Sequence, residues 1–285
     1  MIYFCADDYG LNKASSMRIK KCVDEGILNK VSIFPNFDLV DFSDFGEDVR
    51  LSLHLNLVEG KCLSDADKIP LLADENGNFK HTFGGLFKLN FLKKKEFENQ
   101  LYQEIKAQIL YWKSVLPKDR EFCVDSHQHT HMIPGIFKIL LKVLKDENIA
   151  LKYLRIPVEP ILPYVKSPTL YFSYNLVNII KQWLINFLWI VNKKSAKKQK
   201  VPYCLFMGIL FSGKMDKRIL KIIPQYIRLA EKKGMDAEIL FHPGYLAKDE
   251  ADFEEKNIVF EKFYLSENRK TEYNSVINIL KGSAK

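Results

Sequence analysis

Seven short runs rich in β-branched and aromatic residues, at 2–6, 31–35, 51–57, 121–125, 151–156, 203–207 and 237–242, recur along the chain with stretches of helical periodicity between them. Strands joined through helices pair in parallel, so the alternation predicts an α/β protein built on a parallel sheet. Helices are expected at 13–25, 95–115, 134–147, 214–233 and 270–280, with Gly26 and Gly234 placed as C-caps of the first and fourth. The stretch DENGNFK at 74–80 reads as a hairpin turn or a lid. At 285 residues the chain fits one barrel-sized domain spanning 1–285, and a composition 47% hydrophobic and 27% charged can bury a core without covalent help. The five cysteines, at 5, 22, 62, 123 and 204, form no CxxC pair, which argues against a disulfide framework or a thiolate zinc site.

One stretch departs from the usual look of a surface helix. From 170 to 191 nearly every residue is apolar, and Asn175, Asn178, Gln182 and Asn186 fall at spacings of three, four and four along one stripe. So many amides, with Lys181 beside them, disfavour a spanning helix. A helical insertion at 165–202 is expected, packed against the barrel or in a homodimer interface, with peripheral membrane contact through 170–191 as the alternative. The formal charge of +8 comes largely from lysine clusters such as those at 93–95 and 192–200. These lack interleaved aromatics or a recognisable binding module, so no nucleic-acid partner is expected. The opening MIYFCADDYG has neither a basic region nor a long apolar run, so the expected location is the cytoplasm, or the membrane surface where the apolar stretch makes contact.

The densest polar motif is CVDSHQHTHM at 123–132, where Asp125, His127, His129 and His131 alternate in a chain of only six histidines. If the strand continued through them, all four would face one side, and such a cluster can hold a metal ion. The bland alternative is that one or two of these histidines merely cap the helix opened by Pro134. Asp7 and Asp8 follow the first strand, His54 lies in the third, Arg155 closes the fifth and His242 closes the seventh. In a parallel barrel the C-terminal strand ends open onto one face, where catalytic sites are built, so these distant residues converge. His54 could instead be a core histidine facing the lumen, and the aspartates N-caps for a helix near Asn12. Two adjacent buried carboxylates are costly without a cation, however, and that favours a metal.

One carboxylate with two imidazoles suits Zn²⁺, Co²⁺, Ni²⁺, Mn²⁺ or Fe²⁺, with positions open for water and substrate. A second carboxylate could accept a proton from bound water while a histidine opposite protonates a leaving group, which is the machinery of amide or ester hydrolysis. The segments ADDYGLN, LSLHLNLVEGKCL, VDSHQHTHMIP, LRIPVE and EILFHPGY, in that order from residue 6 to 245, resemble the YdjC-like carbohydrate deacetylases, which include chitooligosaccharide and hopanoid-associated deacetylases. The resemblance implies a distorted (β/α) barrel and metal-dependent removal of an N-acetyl group from an amino sugar in an oligosaccharide or glycoconjugate. It implies Asp8, His54 and His127 as metal ligands, Asp7 as general base and His242 as general acid or oxyanion stabiliser, with Asp7 and Asp8 able to exchange roles. Arg155 would orient Asp7 or the substrate, while Asp125, His129 and His131 would support the ligands or touch sugar hydroxyls. The implied cofactor is one divalent ion, zinc or magnesium first, then cobalt, nickel or manganese. Relatives are often dimeric, which the apolar stretch would suit.

The chain departs from the family pattern in places. Val58 stands where threonine is usual and Cys62 where proline is, and the stretch at 170–191 has no close counterpart in the chitooligosaccharide enzymes. The sugar is therefore less constrained than the reaction, and a lipid-linked glycan becomes one expectation. Two histidines with a carboxylate also describe an Fe(II) oxygenase, but such sites usually sit on antiparallel barrels. A metal-dependent phosphoesterase or amidohydrolase would carry HxH after its first strand, where this chain has ADD. A non-catalytic sugar-binding protein on the same fold would have no need of Asp7, Asp8 and His242.

Overall fold

Seven parallel strands form one sheet in the computed structural model, which describes residues 1–37, 42, 45–251 and 258–280. They are β1 (Ile2–Tyr9), β2 (Lys30–Ile33), β3 (Arg50–Leu55), β4 (Phe122–Ser126), β5 (Leu151–Leu154), β6 (Leu205–Met207) and β7 (Ala237–Phe241). Their order is β5-β4-β3-β2-β1-β7-β6, every pairing parallel. Bent into a circle this order is consecutive, with a seam between β5 and β6. There the Leu154 amide donates to the Pro202 carbonyl at 2.9 Å, just ahead of β6. The architecture is thus the expected α/β one, a curled half-barrel flanked by helices.

The helices are α1 (Lys13–Asp24), α2 (Phe83–Leu92), α3 (Lys94–Val115), α4 (Pro134–Asp146), α5 (Leu162–Val165), α6 (Leu176–Lys198), α7 (Ile223–Lys233), α8 (Ile258–Tyr264) and α9 (Glu267–Asn274). Asn12 caps α1 by accepting from the amides of Ala14 and Ser15, which leaves Asp7 and Asp8 out of that role. Gly234 ends α7 with φ 60°, as a C-cap glycine should. Gly26 is different: Glu25 is the cap of α1, and a Cβ at 26 would lie 2.4 Å from the Cys22 carbonyl, so glycine is needed there for close approach. The helix expected from 214 begins only at Ile223, after a 3₁₀ turn at Lys217–Lys221, because Pro224 lacks the amide a continuous helix requires and fits only its first turn. α2 was not foreseen; its apolar and glycine content gives no helical stripe. Residues 74–80 do form a tight turn, with Gly77 at φ 78° and short antiparallel bridges at Lys61 and Ala73.

Side chains on the sheet alternate between two environments. One set, including Val31, Leu53, Val124 and Ile239, joins Ile105 of α3 and Ile136 and Leu140 of α4 in the hydrophobic layer between sheet and helices. Each fully buried side chain of this kind contributes about 1.5–3 kcal/mol. The other set points into the barrel. Tyr3, Cys123, Tyr153 and Cys204 form a small separate cluster, and inward positions on β1, β2, β3, β4 and β7 carry Asp7, Ser32, His54, Asp125 and Glu238, all buried. The interior of the barrel is therefore polar, with buried charges running from Lys30 and Glu238 near the starts of β2 and β7 to Asp7 near the end of β1.

Candidate metal centre and cleft

Consecutive residues on a strand face opposite sides, so Asp7 and Asp8 need a device to share one site. The β1 register with β2 slips between Ala6 and Tyr9, and Asp8 takes φ 71°. This bulge turns both carboxylates into the same cleft. A left-handed conformation costs a non-glycine residue roughly 1–2 kcal/mol, and strain of that kind clusters at functional sites. Arg269 of α9 secures it by donating to Asp8 Oδ2. Burial pushes the Asp8 carboxyl up, but Arg269, His127 and His54 hold it well below the usual carboxylate range.

His54 sits on β3 beside Asp125 of β4, its partner in the sheet register. Its Nδ1 lies 2.6 Å from Asp125 Oδ1; an ionised carboxylate only accepts, so Nδ1 carries a proton and Nε2 is the nitrogen that an ion would take in place of a second proton. That Nε2 is buried without a hydrogen bond, 3.4 Å from Asp8 Oδ1 and 4.0 Å from Asp7 Oδ2. His127 completes the group, with Nδ1 3.1 Å from Asp8 Oδ1 and Nε2 2.9 Å from Glu59 Oε2. Asp8, His54 and His127 offer ligand atoms all within 4.8 Å of one another, and so do Asp7, His54 and Asp125. The first set fits an ion better, because Arg155 and Lys30 already occupy Asp7 and Asp125.

The electrostatics ask for another cation. Asp7, Asp8, Glu59, Asp125, Glu238 and Glu272 are all buried here, against three buried permanent cations, Lys30, Arg155 and Arg269. Burial alone would push the His54 imidazole down, yet Asp7, Asp125 and Asp8 raise it to about 10. His127 is likewise raised, burial being outweighed by Asp8 and Glu59. A divalent ion on these donors would supply the positive charge that protonated imidazoles otherwise provide.

Arg155, just beyond β5, is fully buried and grips Asp7 with Nη1 at 2.7 Å and Nη2 at 2.8 Å. It also donates to Glu238 Oε1 at 2.8 and 2.6 Å. The bonds to Asp7 fix the position of its carboxylate. Burial raises the Asp7 carboxyl, but Arg155 and His54 pull it below the ordinary range. Lys30 reaches Glu238 at 2.9 Å and Asp125 at 3.4 Å, closing the network.

The histidine motif does not continue as a strand. β4 stops at Ser126, and residues His127–Met132 wind into a 3₁₀ turn in which Gln128 and His129 have φ 51° and 55°. The expected common face for Asp125, His127, His129 and His131 is thus corrected, because the left-handed backbone at Gln128 and His129 ends the alternation of faces. His131 turns back to Ser126 Oγ and donates from Nε2 to the Arg155 carbonyl at 2.7 Å, and burial pushes it down to about 4. His129 stands in the cleft wall against Phe206, and burial, with Arg155 adding to it, holds it well below the ordinary imidazole range. His242 follows β7 in another part of the wall, its Nδ1 3.5 Å from Glu272 Oε2.

The cleft above these groups has a volume of about 270 Å³. Asp7, Asp8 and His127 form part of its lining, and α6 contributes Lys181, Leu184 and Ile185. Several of the buried groups were not expected. Glu238, an acid inside the apolar run AEILF, and Lys30, at the mouth of KVSIF, were visible as charges in strands covered on both faces. Glu59 had only its place beside His54's strand to suggest it, and Arg269 and Glu272 lie on a C-terminal helix with no local signal at all.

A family model described as YdjC-like protein matches residues 1–278. A carbohydrate deacetylase of Clostridium beijerinckii is 25% identical over 191 residues, covering 64% of this chain and 73% of that protein. One from Danio rerio is 28% identical over 159 residues, 54% of this chain and 49% of the relative. One from Thermoanaerobacter pseudethanolicus is 34% identical over 82 residues, 27% and 33% respectively. The matched stretch thus spans half or less of these last two proteins. A crystal structure from Enterococcus faecalis, described provisionally as a cellobiose-phosphate cleavage protein, superposes with a TM-score of 0.63 over 99% of this chain and 92% of its own, at 17% identity, a likeness of fold.

Proposed function

The chain belongs to the YdjC-like family, and from that premise we propose that it is a carbohydrate deacetylase, releasing acetate from an N-acetylated amino sugar with the help of one divalent ion. The observation that carries this is the convergence of Asp8, His54 and His127 in one cluster, at a cleft that Asp7, Asp8, His127 and His242 line. Asp8, His54 and His127 would hold the ion. Two imidazoles favour zinc, cobalt or nickel over manganese and magnesium, which prefer oxygen ligands. Such an ion would polarise the amide carbonyl and bring the pKa of water towards neutrality.

The remaining steps belong to the side chains. Arg155 takes one acceptor position on each Asp7 oxygen, and the positions left can receive the proton of the attacking water. Its ionised, clamped state fixes the direction of that transfer. His242, close to Glu272, would deliver a proton to the departing sugar nitrogen or bond the oxyanion. The volume of about 270 Å³ suits one acetylated sugar ring at a time.

The test is acetate release from chitobiose, nucleotide sugars and lipid-linked N-acetylglucosamine, after chelation and re-addition of several divalent ions. Asp7→Asn or His242→Ala should lower kcat by about 10²-fold to 10⁴-fold with the ion still bound. Acetate release at undiminished rate from both variants would refute the assigned roles. No acetate from any acetylated sugar with any ion would refute the activity.

A further inference from the structure

Helix α6 is apolar on two faces. Its inward face buries Ile185, Leu188 and Trp189 in the core, together with amides bonded to backbone carbonyls: Asn178 Nδ2 to Ser212 at 3.0 Å, Gln182 Nε2 to Glu159 at 3.0 Å and Asn192 Nδ2 to Met132 at 2.8 Å. Its outward stripe carries Leu176, Val177, Ile180, Trp183, Phe187 and Ile190, each 56–71% exposed. At spacings of three and four residues these make a continuous apolar ridge about 21 Å long. A ridge of that size on a surface marks something that covers it.

Charge identifies the occupant. Residues 160–215 contain eight lysines and no aspartate or glutamate. The chain has 43 basic and 35 acidic residues in all, so outside this segment 35 face 35, and the segment carries the whole formal charge of +8. Five of its lysines, Lys193, Lys194, Lys197, Lys198 and Lys200, are exposed at the end of α6. Among the described residues none of them has a carboxylate within 4.0 Å. A second copy docked on this ridge would bring no acidic group from the segment to meet them, whereas anionic headgroups would. Trp183 and Phe187 are side chains that settle at the boundary of headgroup and acyl chain. No described helix is long and apolar enough to cross a membrane, so the ridge would lie on the surface.

We propose that residues 160–215 seat the molecule on an anionic bilayer with α6 in the interface plane, and that the cleft takes its acetylated sugar from a lipid anchor at that surface. The other flank of α6 already lines the cleft through Lys181, Leu184 and Ile185, so one helix joins the two surfaces. The seating stands independently; the lipid-anchored substrate rests on the deacetylase function proposed above.

Sedimentation with vesicles tests the seating without catalysis. The full chain should bind vesicles of phosphatidylcholine containing about a quarter phosphatidylglycerol at least about ten-fold more tightly than phosphatidylcholine alone, and salt should weaken the difference. A Trp183→Glu, Phe187→Glu double variant and a variant with Lys193, Lys194, Lys197 and Lys198 changed to Gln should each lose about ten-fold or more of that binding. Both should keep wild-type thermal stability and acetate release from a soluble acetylated sugar, while release from an N-acetylglucosaminyl lipid in the same vesicles falls. Indifference of the wild-type chain to vesicles overturns the proposal, as does a stable dimer in solution that the double variant dissolves. Vesicle binding with no acetate from either substrate leaves the seating in place and removes the deacetylase function.

Discussion

Asp8 shows how one residue can carry a backbone and a charge requirement together. Its φ of 71° favours glycine, while its carboxylate answers Arg269 and the two imidazoles. The two demands separate by mutation: Asp8→Ala and Asp8→Gly lose the same charge, but only Ala keeps the left-handed strain. Asp8→Gly should therefore unfold in urea about 1 kcal/mol later than Asp8→Ala, the reverse of the usual order. Ala proving the more stable would mean that position 8 is not held in that conformation. His131 offers a second separation. Its folded pKa is lowered from 6.5 to about 4, so the stability it contributes is present above pH 6.5 and is lost as the pH falls towards 4. The loss should reach roughly 3 kcal/mol at the acid end and be absent from a His131→Gln variant, as thermal melts between pH 7 and 4 would show. None of this was legible from HQHTHM alone. Spacing of two is strand spacing, but the chain leaves the strand at Ser126, and only the backbone turn at Gln128 and His129 decides which imidazole meets Asp8 and which turns away.

At the level of elements, the strands were legible because a sheet covered on both faces leaves apolar runs that periodicity can find. All seven lie at or within a few residues of their expected positions. Inserted proline and glycine set the errors: Pro224 delays α7, and a glycine-bearing apolar run conceals α2. The helix from Leu176 was legible as a helix, with its amide stripe on one side, but its orientation was not. Binary pattern assigns apolar residues inward, and Ile185 and Leu188 obey it, but Asn178, Gln182 and Asn192 are buried beside them because backbone carbonyls at Ser212, Glu159 and Met132 await donors. Asn192→Leu, which makes the helix more apolar inside, should accordingly destabilise the protein by about 1–3 kcal/mol by orphaning a buried carbonyl. Ile190→Gln on the outer stripe should stay within about 0.5 kcal/mol. Equilibrium urea unfolding of the two variants distinguishes this from ordinary amphipathic packing, which would give the opposite ranking.

For the whole molecule, the consequence of burying six carboxylates and three permanent cations together in a half-barrel is that folding and ion binding become one equilibrium. The ligands come from β1, β3 and the turn after β4, with second contacts from α9, so no local piece of the unfolded chain can present them together. An ion that binds only the folded state at about 100 times its Kd adds about 2.7 kcal/mol of stability. For a chain of 285 residues the unfolding entropy is about 0.6 kcal/mol per kelvin, so the midpoint should rise by about 4.5 °C on adding zinc to chelated protein. Asp8→Asn and His127→Ala should abolish that rise, because the first removes the ligand's negative charge and the second an imidazole nitrogen. Lys214→Gln, remote from the ligands in sequence and charge network, should preserve it. Equal rises in all four proteins would locate the stabilising ion somewhere else on the chain, and the cluster of Asp8, His54 and His127 would then be an ion-pair network rather than a metal centre.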